Sequence, residues 1–335
     1  KVMTFKDKER HQIFLEPEAE DTCEFYVQGA STSMPAEVQV QIYHSIEGLE
    51  NVEIMRDAYA IEYDCIDATE LDQTLMSKKI PGMFFAGQIN GTSGYEEAAA
   101  QGLIAGINSF NYLNNSNMLE LSRSSSYTGT LIDDLVTKDI QDPYRMLTSR
   151  SEYRLLLRQD NADTRLTPIG YEIGLATEER YNRMLEKKAM IKKILNFADT
   201  TVPREKVAGL FEKIVEEIPQ KTPTFRDICR RPAVNYKDVM EFVPFECSGE
   251  ELNAAVIEMK YEGYLSKEEA AINEQKRLES KTIPADIDYA SIKALRIEAR
   301  QKLAEIRPLN LGQASRISGV SPADIAVLIV ALRQN

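Results

Sequence analysis

The residues best able to do chemistry lie between positions 80 and 106, where Ile-Pro-Gly-Met-Phe-Phe-Ala-Gly-Gln-Ile-Asn-Gly-Thr-Ser-Gly-Tyr-Glu-Glu-Ala-Ala-Ala-Gln-Gly-Leu-Ile-Ala-Gly reads as strand, loop and helix. Met83 to Ala86 is a short buried strand opened by a Pro-Gly turn, and a polar, glycine-rich loop follows from Gly87 to Gly94. Ser93 and Glu96 have the S-x-x-E spacing of a capping box, which predicts a helix running to about Asn111. The first turn of such a helix carries unsatisfied N–H groups and the positive end of the dipole, suited to an anionic or electron-rich ligand edge. Gly87, Gly91 and Gly94 permit close backbone approach, and Gly102 and Gly106, one turn apart, would let the helix lie tight against a neighbour. Any α/β domain can join strand to helix in this way, so an ordinary connection and a cofactor loop both remain open. No G-x-G-x-x-G occurs, so the main dinucleotide fingerprint is absent, and this loop would touch a dinucleotide only as a secondary contact.

A second group is cationic. Ser149 and Glu152 form another capping-box pattern, which predicts a helix placing Arg150, Arg154 and Arg158 on one face with Tyr153, Leu156 and Leu157 opposite. Arg145 and Arg165 flank it and Tyr144 lies nearby, giving five arginines against three acids over residues 145–165. Guanidinium groups match phosphate geometry and stack on unpaired bases. The competing reading is a solvated face whose arginines pair with Glu152, Asp160 and Asp163. A cluster at Lys187, Lys188, Lys192 and Lys193 reads as solvated surface. Four cysteines without C-x-x-C spacing, and only His11 and His44, predict no metal site and give a hydrolytic triad no local pattern. Scattered free thiols fit a reducing, cytosolic compartment.

Around these groups the pattern predicts strands at Gln12–Leu15, Glu24–Val27 and Tyr59–Tyr63, and a helix from about Pro35 to Glu47 with Ser33 as cap. At 335 residues two or three domains are expected, and the 43% apolar content supplies a core. The longest apolar run, Ile325 to Leu332, has eight residues, far short of the roughly 20 a membrane span needs. Residues 1–121 hold 7 basic and 20 acidic side chains, whereas residues 122–335 hold 33 of each. The whole acidic excess therefore sits in the first third, and the Ser-rich stretch Ser122–Ser126 reads as a linker. Beyond it the chain reads as predominantly helical. Stripes run through Tyr181, Met184, Leu185, Ile191 and Leu195 and through Val207, Leu210, Phe211, Ile214, Val215 and Ile218, with a capped helix from Ser248. Two tail helices around Ser318–Pro322, with Ser321 as cap, resemble a helix-turn-helix. Arg307, Arg316 and Arg333 are their only basic residues, so DNA reading is not supported and the apolar Ile325–Leu332 helix is expected to pack in a core or on a partner. The chain opens Lys-Val-Met without an initiator Met, as a piece of a longer protein would.

The stretch FFAGQINGTSGYEEAAAQGLIAG, Phe84 to Gly106, closely resembles the flavin-contacting segment of the glucose-inhibited division protein A family, the bacterial tRNA uridine 5-carboxymethylaminomethyl modification enzymes. The likeness continues in HQIFLE (His11–Glu16), YAIEYD (Tyr59–Asp64), PYRMLTSRSEYRLLLR (Pro143–Arg158), YEGY (Tyr261–Tyr264) and GQASRISGV (Gly312–Val320). The resemblance implies an α/β fold over residues 1–121, the carboxy-terminal part of a Rossmann-type FAD-binding domain with inserted α+β elements. An all-α tRNA- and partner-binding domain over 122–335 would follow, with a tail subdomain from about 250. It implies FAD held from one side by Gly87, Gln88, Asn90, Gly91, Thr92, Ser93, Gly94, Tyr95 and Glu96, with Gln88 foremost and NADH as reductant. It further implies tRNA contacts from Arg145, Arg150, Arg154, Arg158 and Arg165, a GTP-hydrolysing partner protein, a homodimer, and a cytoplasmic location without membrane or DNA. The implied reaction attaches an aminomethyl or carboxymethylaminomethyl group to carbon 5 of the wobble uridine, using a folate one-carbon donor. The family's amino-terminal part, with its Rossmann glycines and reactive cysteines, has no counterpart here, so no catalytic residue carries over and this chain alone is expected to be inactive and to bind FAD weakly. A small-molecule flavin oxidoreductase and a non-catalytic RNA-binding fragment are the alternatives.

Overall fold

Residues 5–59, 62–138, 140 and 142–334 are described by the structure, a computed structural model. They form two units, Lys1–Asp64 and Cys65–Asn335. In the first unit β1 (Phe14–Pro17) and β2 (Phe25–Gln28) pair antiparallel, with Leu15 opposite Val27 and Glu16 opposite Tyr26. Helix α1 (Ala36–His44) begins after Pro35 without a side-chain cap from Ser33, and it stops before Glu47 as the Ser45 hydroxyl turns back to the Ile42 carbonyl at 2.7 Å. Gln39 is buried and ties α1 to the later chain, accepting from the Ala58 N–H and donating to the Ala58 carbonyl, both at 2.8 Å. Of the strand expected at Tyr59–Tyr63, Ala60 and Ile61 lie outside the described residues, and Tyr59, Glu62 and Tyr63 are in irregular chain.

In the second unit Met83–Ala86 forms no strand. Phe84 makes one antiparallel bridge to Met76, and single bonds from Ser77 N–H to Met83 and from Phe85 N–H to Leu75 do not extend into a ladder. Helix α2 (Tyr95–Leu113) follows, and its Ile104 and Ala105 share a core with Leu71, Leu75, Ile132 and Val136. The last two belong to α3 (Tyr127–Thr137), a helix the sequence reading did not foresee, which Ser126 caps by accepting from the Gly129 N–H at 2.9 Å. Gly129 is where α3 touches the preceding chain, since a Cβ there would lie 2.2 Å from the Ser122 carbonyl oxygen. Residues 122–126 are therefore packed structure rather than linker, and the charge boundary at 121/122 crosses a shared core. Among the described residues nothing lies within 4 Å of a Cβ placed on Gly102 or Gly106, so neither glycine serves a close helix contact there.

The helix expected from Ser149 is also absent. Thr148–Arg150 and Gln159–Asn161 are single 3-10 turns, and a helix begins only at α4 (Ala162–Glu172). Glu152, assigned to the capping box, instead gives both carboxylate oxygens to Arg123, at 2.7 Å each. Next come α5 (Glu178–Phe197), α6 (Arg204–Lys213), α7 (Phe225–Cys229), α8 (Tyr236–Val239) and α9 (Gly249–Glu279). They close on a core that includes Ile194, Val207, Phe211, Phe225, Ile228, Leu252 and Met259. The Ser248–Glu251 capping box forms as read. The α6 stripe ends early because Val215 takes a left-handed φ of 58° and projects into solvent. The tail helices α10 (Ile297–Ile306), α11 (Leu311–Arg316) and α12 (Pro322–Gln334) pack around Leu303, Leu311, Ile317 and Leu328. Ser321 and Asp324 bond reciprocally at the α12 start, as the cap reading requires. The later region is thus helical as expected, whereas the only sheet among the described residues is the two-stranded hairpin, with no parallel ladder. Among the described residues no helix is long and apolar enough to cross a membrane.

Candidate cofactor loop and basic segment

Gly87 and Gly91 both sit at positive φ, 89° and 80°, on either side of the 3-10 turn Gln88–Asn90, a conformation that glycine adopts without strain. What holds the loop is Gln101, a fully buried amide of α2. Its Oε1 accepts from the Gly87 N–H at 3.1 Å and from Asn90 Nδ2 at 2.8 Å, while its Nε2 donates to Thr92 Oγ1 at 3.1 Å. The Thr92 hydroxyl donates onward to the Gly87 carbonyl at 3.1 Å. On its other side the loop bonds to Tyr144, whose N–H donates to the Gly91 carbonyl at 2.8 Å and whose carbonyl accepts from the Ser93 N–H at 3.2 Å. The sequence reading did not identify Gln101. Its signal is an amide, one of two with Asn108, on the buried stripe Glu97, Gln101, Ile104, Ala105, Asn108.

The Ser93–Glu96 box does not form. Gly94 occupies the N-cap position without a side-chain bond, and Ser93 and Glu96 are exposed, as is Tyr95 at 93%. The neighbouring Glu97 turns inward instead, only 5% exposed, and its Oε1 accepts from the Met146 N–H at 2.7 Å. Glycine at 94 makes room for it, since a Cβ there would fall 1.6 Å from Glu97 Oε2.

Two buried acceptors, Asn90 Oδ1 and Glu97 Oε2, have no hydrogen-bond partner among the described residues, and space is open beside Gly91. Unmatched acceptors fit a ligand edge that donates, such as the imide N–H of a flavin ring or a ribityl hydroxyl. They do not fit a pyrophosphate, because Glu96 and Glu97 in the first turn offset the helix dipole. The residues present therefore suit the ring end of FAD. Gln88 is half-buried and its amide makes no hydrogen bond among the described residues.

The five arginines do not form one face. Arg145 is 58% exposed with its Nε 3.8 Å from Glu97 Oε1, and the Arg150 guanidinium lies over the Tyr144 ring at 4.4 Å. Arg154 is exposed and unpaired among the described residues. Arg158 instead folds back bidentate on Asp160, at 3.0 and 3.2 Å, and onto the Leu155 carbonyl at 2.7 Å. Arg165 is likewise engaged inward, with Asn161 Oδ1 at 2.9 Å, the Arg158 carbonyl at 3.0 Å and the Ser125 carbonyl. Three guanidinium groups face outward along irregular chain and two brace it.

Behind this segment lies a buried ion network that the sequence reading passed over as linker. Arg123, 5% exposed, donates to Glu152, to Asp133 Oδ2 at 3.1 Å and to Asp134 Oδ1 at 2.5 Å. Arg316 of α11 joins it, with Asp133 Oδ1 at 2.8 Å and Glu279 Oε1 at 2.9 Å. The Tyr144 hydroxyl donates to Asp134 Oδ2 at 2.9 Å. Burial pushes the Asp134 carboxyl up, but the charges and hydrogen bonds of Arg123 and Lys138 outweigh it and hold the group below the ordinary carboxylate range. Burial and then Asp134 drive the Tyr144 hydroxyl far above its usual range, so it stays a donor. The network thus joins the tail, the basic segment and, through Tyr144, the glycine loop. Burial also pushes the Cys229 thiol up to about 12, which leaves it no nucleophile at neutral pH. Among the described residues no three His, Cys, Asp or Glu side chains are grouped to hold a metal.

Comparison with known proteins places this arrangement. Residues 1–117 match the model described as glucose inhibited division protein A, residues 178–269 its C-terminal helical domain, and residues 271–335 its C-terminal helical bundle. The whole chain is 52% identical to the tRNA uridine 5-carboxymethylaminomethyl modification enzyme MnmG of Caldicellulosiruptor saccharolyticus and 53% identical to that of Bacillus licheniformis, covering 54% of each. Two crystal forms of Aquifex aeolicus GidA superpose over 99% of the chain with TM-scores of 0.82 and 0.80 at 44% and 45% identity, covering 53% and 52% of those chains. The chain spans about half the length of the relatives it matches. On the matched segments, the loop motif and the superposition together, it belongs to the glucose-inhibited division protein A family.

Proposed function

We propose that this chain supplies the flavin-loop and tRNA-contacting part of an enzyme that modifies carbon 5 of the tRNA wobble uridine. The observation that carries the reading is the meeting, within one unit, of a glycine loop with two unmatched buried acceptors and three outward guanidinium groups at Arg145, Arg150 and Arg154. FAD, when bound, supplies the redox chemistry. Gly87 and Gly91 let the backbone approach its ring end, Asn90 accepts from it, and Gln88, Thr92, Ser93, Gly94, Tyr95 and Glu96 complete that side of the pocket. The outward arginines fix the RNA backbone, while Arg158 and Arg165 keep the segment in shape for it. In this reading residues 1–121 belong to a Rossmann-type flavin domain and 122–335 to the tRNA- and partner-binding part, with α10–α12 offered to a GTP-hydrolysing partner. NADH as reductant, a homodimer and the cytoplasm follow from the family's resemblance to this chain.

The test uses the full-length enzyme, purified with and without Gln88→Ala. The parent protein carries stoichiometric FAD and restores the modified wobble uridine, read by mass spectrometry of digested tRNA, and the variant holds FAD about tenfold more weakly, the loss of roughly one hydrogen-bonded contact to a polar group. A parent enzyme without flavin or without modified uridine overturns the reading, and unchanged FAD affinity in the variant removes Gln88 from it.

A further inference from the structure

The residue that links the glycine loop to the basic segment is Tyr144, which is wholly buried. Its backbone pairs with Thr92 as an isolated parallel bridge, its N–H donating to the Gly91 carbonyl at 2.8 Å and its carbonyl accepting from the Ser93 N–H at 3.2 Å. Two residues on, the Met146 N–H donates to Glu97, in the first turn of α2, at 2.7 Å. Three backbone bonds within three residues thus tie the segment to the loop and to the helix that follows it. The Tyr144 side chain is held from two further directions. Its hydroxyl donates to the buried Asp134 of α3 at 2.9 Å, and the exposed Arg150 places its guanidinium 4.4 Å from the ring centroid. Residues 142–147 belong to no helix or strand ladder, so their order rests largely on these contacts.

We infer that Tyr144 is a positioning residue that couples two ligands, so that RNA seated on Arg145, Arg150 and Arg154 tightens FAD on the glycine loop. The inference rests on the flavin and tRNA reading above and deepens it. A ligand that immobilises an irregular segment meets the entropic cost of ordering it, and a second ligand against the same segment then binds without that cost. Both ligands here act on one piece of backbone. FAD acts through Gly91 and Ser93, to which Tyr144 is bonded, and RNA through the arginines on either side of Met146. Linkage makes the effect reciprocal, FAD raising the affinity for RNA by the same factor. The hydroxyl bond to Asp134 sets the size of the ordering cost, because it holds the segment in place before either ligand arrives. Being wholly buried, Tyr144 touches neither ligand and performs no chemistry on them.

The experiment uses the full-length enzyme, stripped of flavin and titrated with FAD, with and without a saturating anticodon stem-loop RNA carrying uridine at the wobble position. RNA tightens FAD about tenfold in the parent, within the usual range of coupling between two sites. On the flavin-free parent the same RNA slows hydrogen exchange of the Ser93 and Tyr144 amides about tenfold, as ordering of the shared backbone requires. Tyr144→Phe keeps the ring and the backbone bonds and removes the bond to Asp134, so FAD alone binds about tenfold more weakly. Saturating RNA brings the variant back to within about twofold of the parent, which raises its coupling to about a hundredfold. Rescue by RNA separates positioning from plain support, since a residue that only holds the fold weakens FAD equally in both conditions. Parent FAD affinity and amide exchange that RNA leaves unchanged overturn the coupling and leave the function standing, whether or not the variant folds. FAD affinity in Tyr144→Phe that changes by the same factor with and without RNA, or not at all, does the same. A parent that binds no FAD or no RNA overturns the proposed function and the coupling with it.

Discussion

Replacing Arg123 with leucine lowers the stability of the chain by about 3 kcal/mol, the lower end of what breaking a buried ion pair costs, because Asp133 keeps Arg316 and Asp134 keeps Lys138. The size follows from burial: Arg123 and its partners Asp133 and Asp134 are each almost wholly buried, and a hydrophobic side chain satisfies neither acid. The pH dependence has a definite sign. For Asp134 and Glu152 burial acts upward, but Arg123 prevails and holds both below their ordinary values. Their contribution is therefore present above the unfolded carboxyl values near pH 4 and is lost as pH falls through the lowered folded ones. The gap between parent and variant, read from urea unfolding, is widest near neutrality and narrows below about pH 4. A variant within 1 kcal/mol of the parent at pH 7 would contradict this account of the network.

Gln101→Leu is the second large effect, about 2–4 kcal/mol of local stability. Leucine fills much the same volume but leaves the Gly87 N–H, the Asn90 amide and the Thr92 hydroxyl each short of a partner in a buried place, and each such group costs about 1–3 kcal/mol unless water reaches it. Opening of the loop is the relaxation available, so the change concentrates there. Amide hydrogen exchange at Gly87, Asn90 and Gly91 accelerates by one to three powers of ten, each 1.4 kcal/mol being a factor of ten, while the α5–α9 core is unaffected. Gln101→Glu keeps the acceptor toward Gly87 and Asn90 but loses the bonds that Nε2 donates to Thr92 Oγ1 and to the Glu97 carbonyl, each at 3.1 Å, so it separates the acceptor half of the amide from the donor half. Unchanged exchange in Gln101→Leu would mean that the two positive-φ glycines hold the loop without the amide.

How much of this was legible in the sequence depends on whether the cause was local. The helix from Ser248 and the cap at Ser321 were readable because donor and acceptor lie three residues apart. The same spacing misled at Ser93 and Ser149. Glu97, next to the expected Glu96, turns to the Met146 N–H and Glu152 reaches Arg123, partners 49 and 29 residues distant that nothing in the local spacing reveals. Arg123 sat among serines and looked like linker for the same reason, since nothing nearby reveals that Asp133 and Asp134 face it. The glycine loop itself was plain, but the residue that closes it, Gln101, was hidden within a helical stripe. The arginines were found by type and misjudged by geometry: a regular face was expected, and the chain instead turns Arg158 and Arg165 inward to build its own shape.

The central claim is that the outward arginines of this segment meet tRNA, and titration of tRNA against the full chain across a salt series tests it directly, beside an Arg145/Arg150/Arg154→Ala variant. The parent chain binds with a steep log–log salt dependence, and the variant binds more weakly with the slope reduced by about 2–3, near 0.7–0.9 for each phosphate contact removed. Arg158→Ala, which removes a brace, lowers thermal stability before it changes that slope. Equal affinity and equal slope for the parent and the triple variant would contradict the account, because three exposed guanidinium groups that neutralise no phosphate are solvated surface.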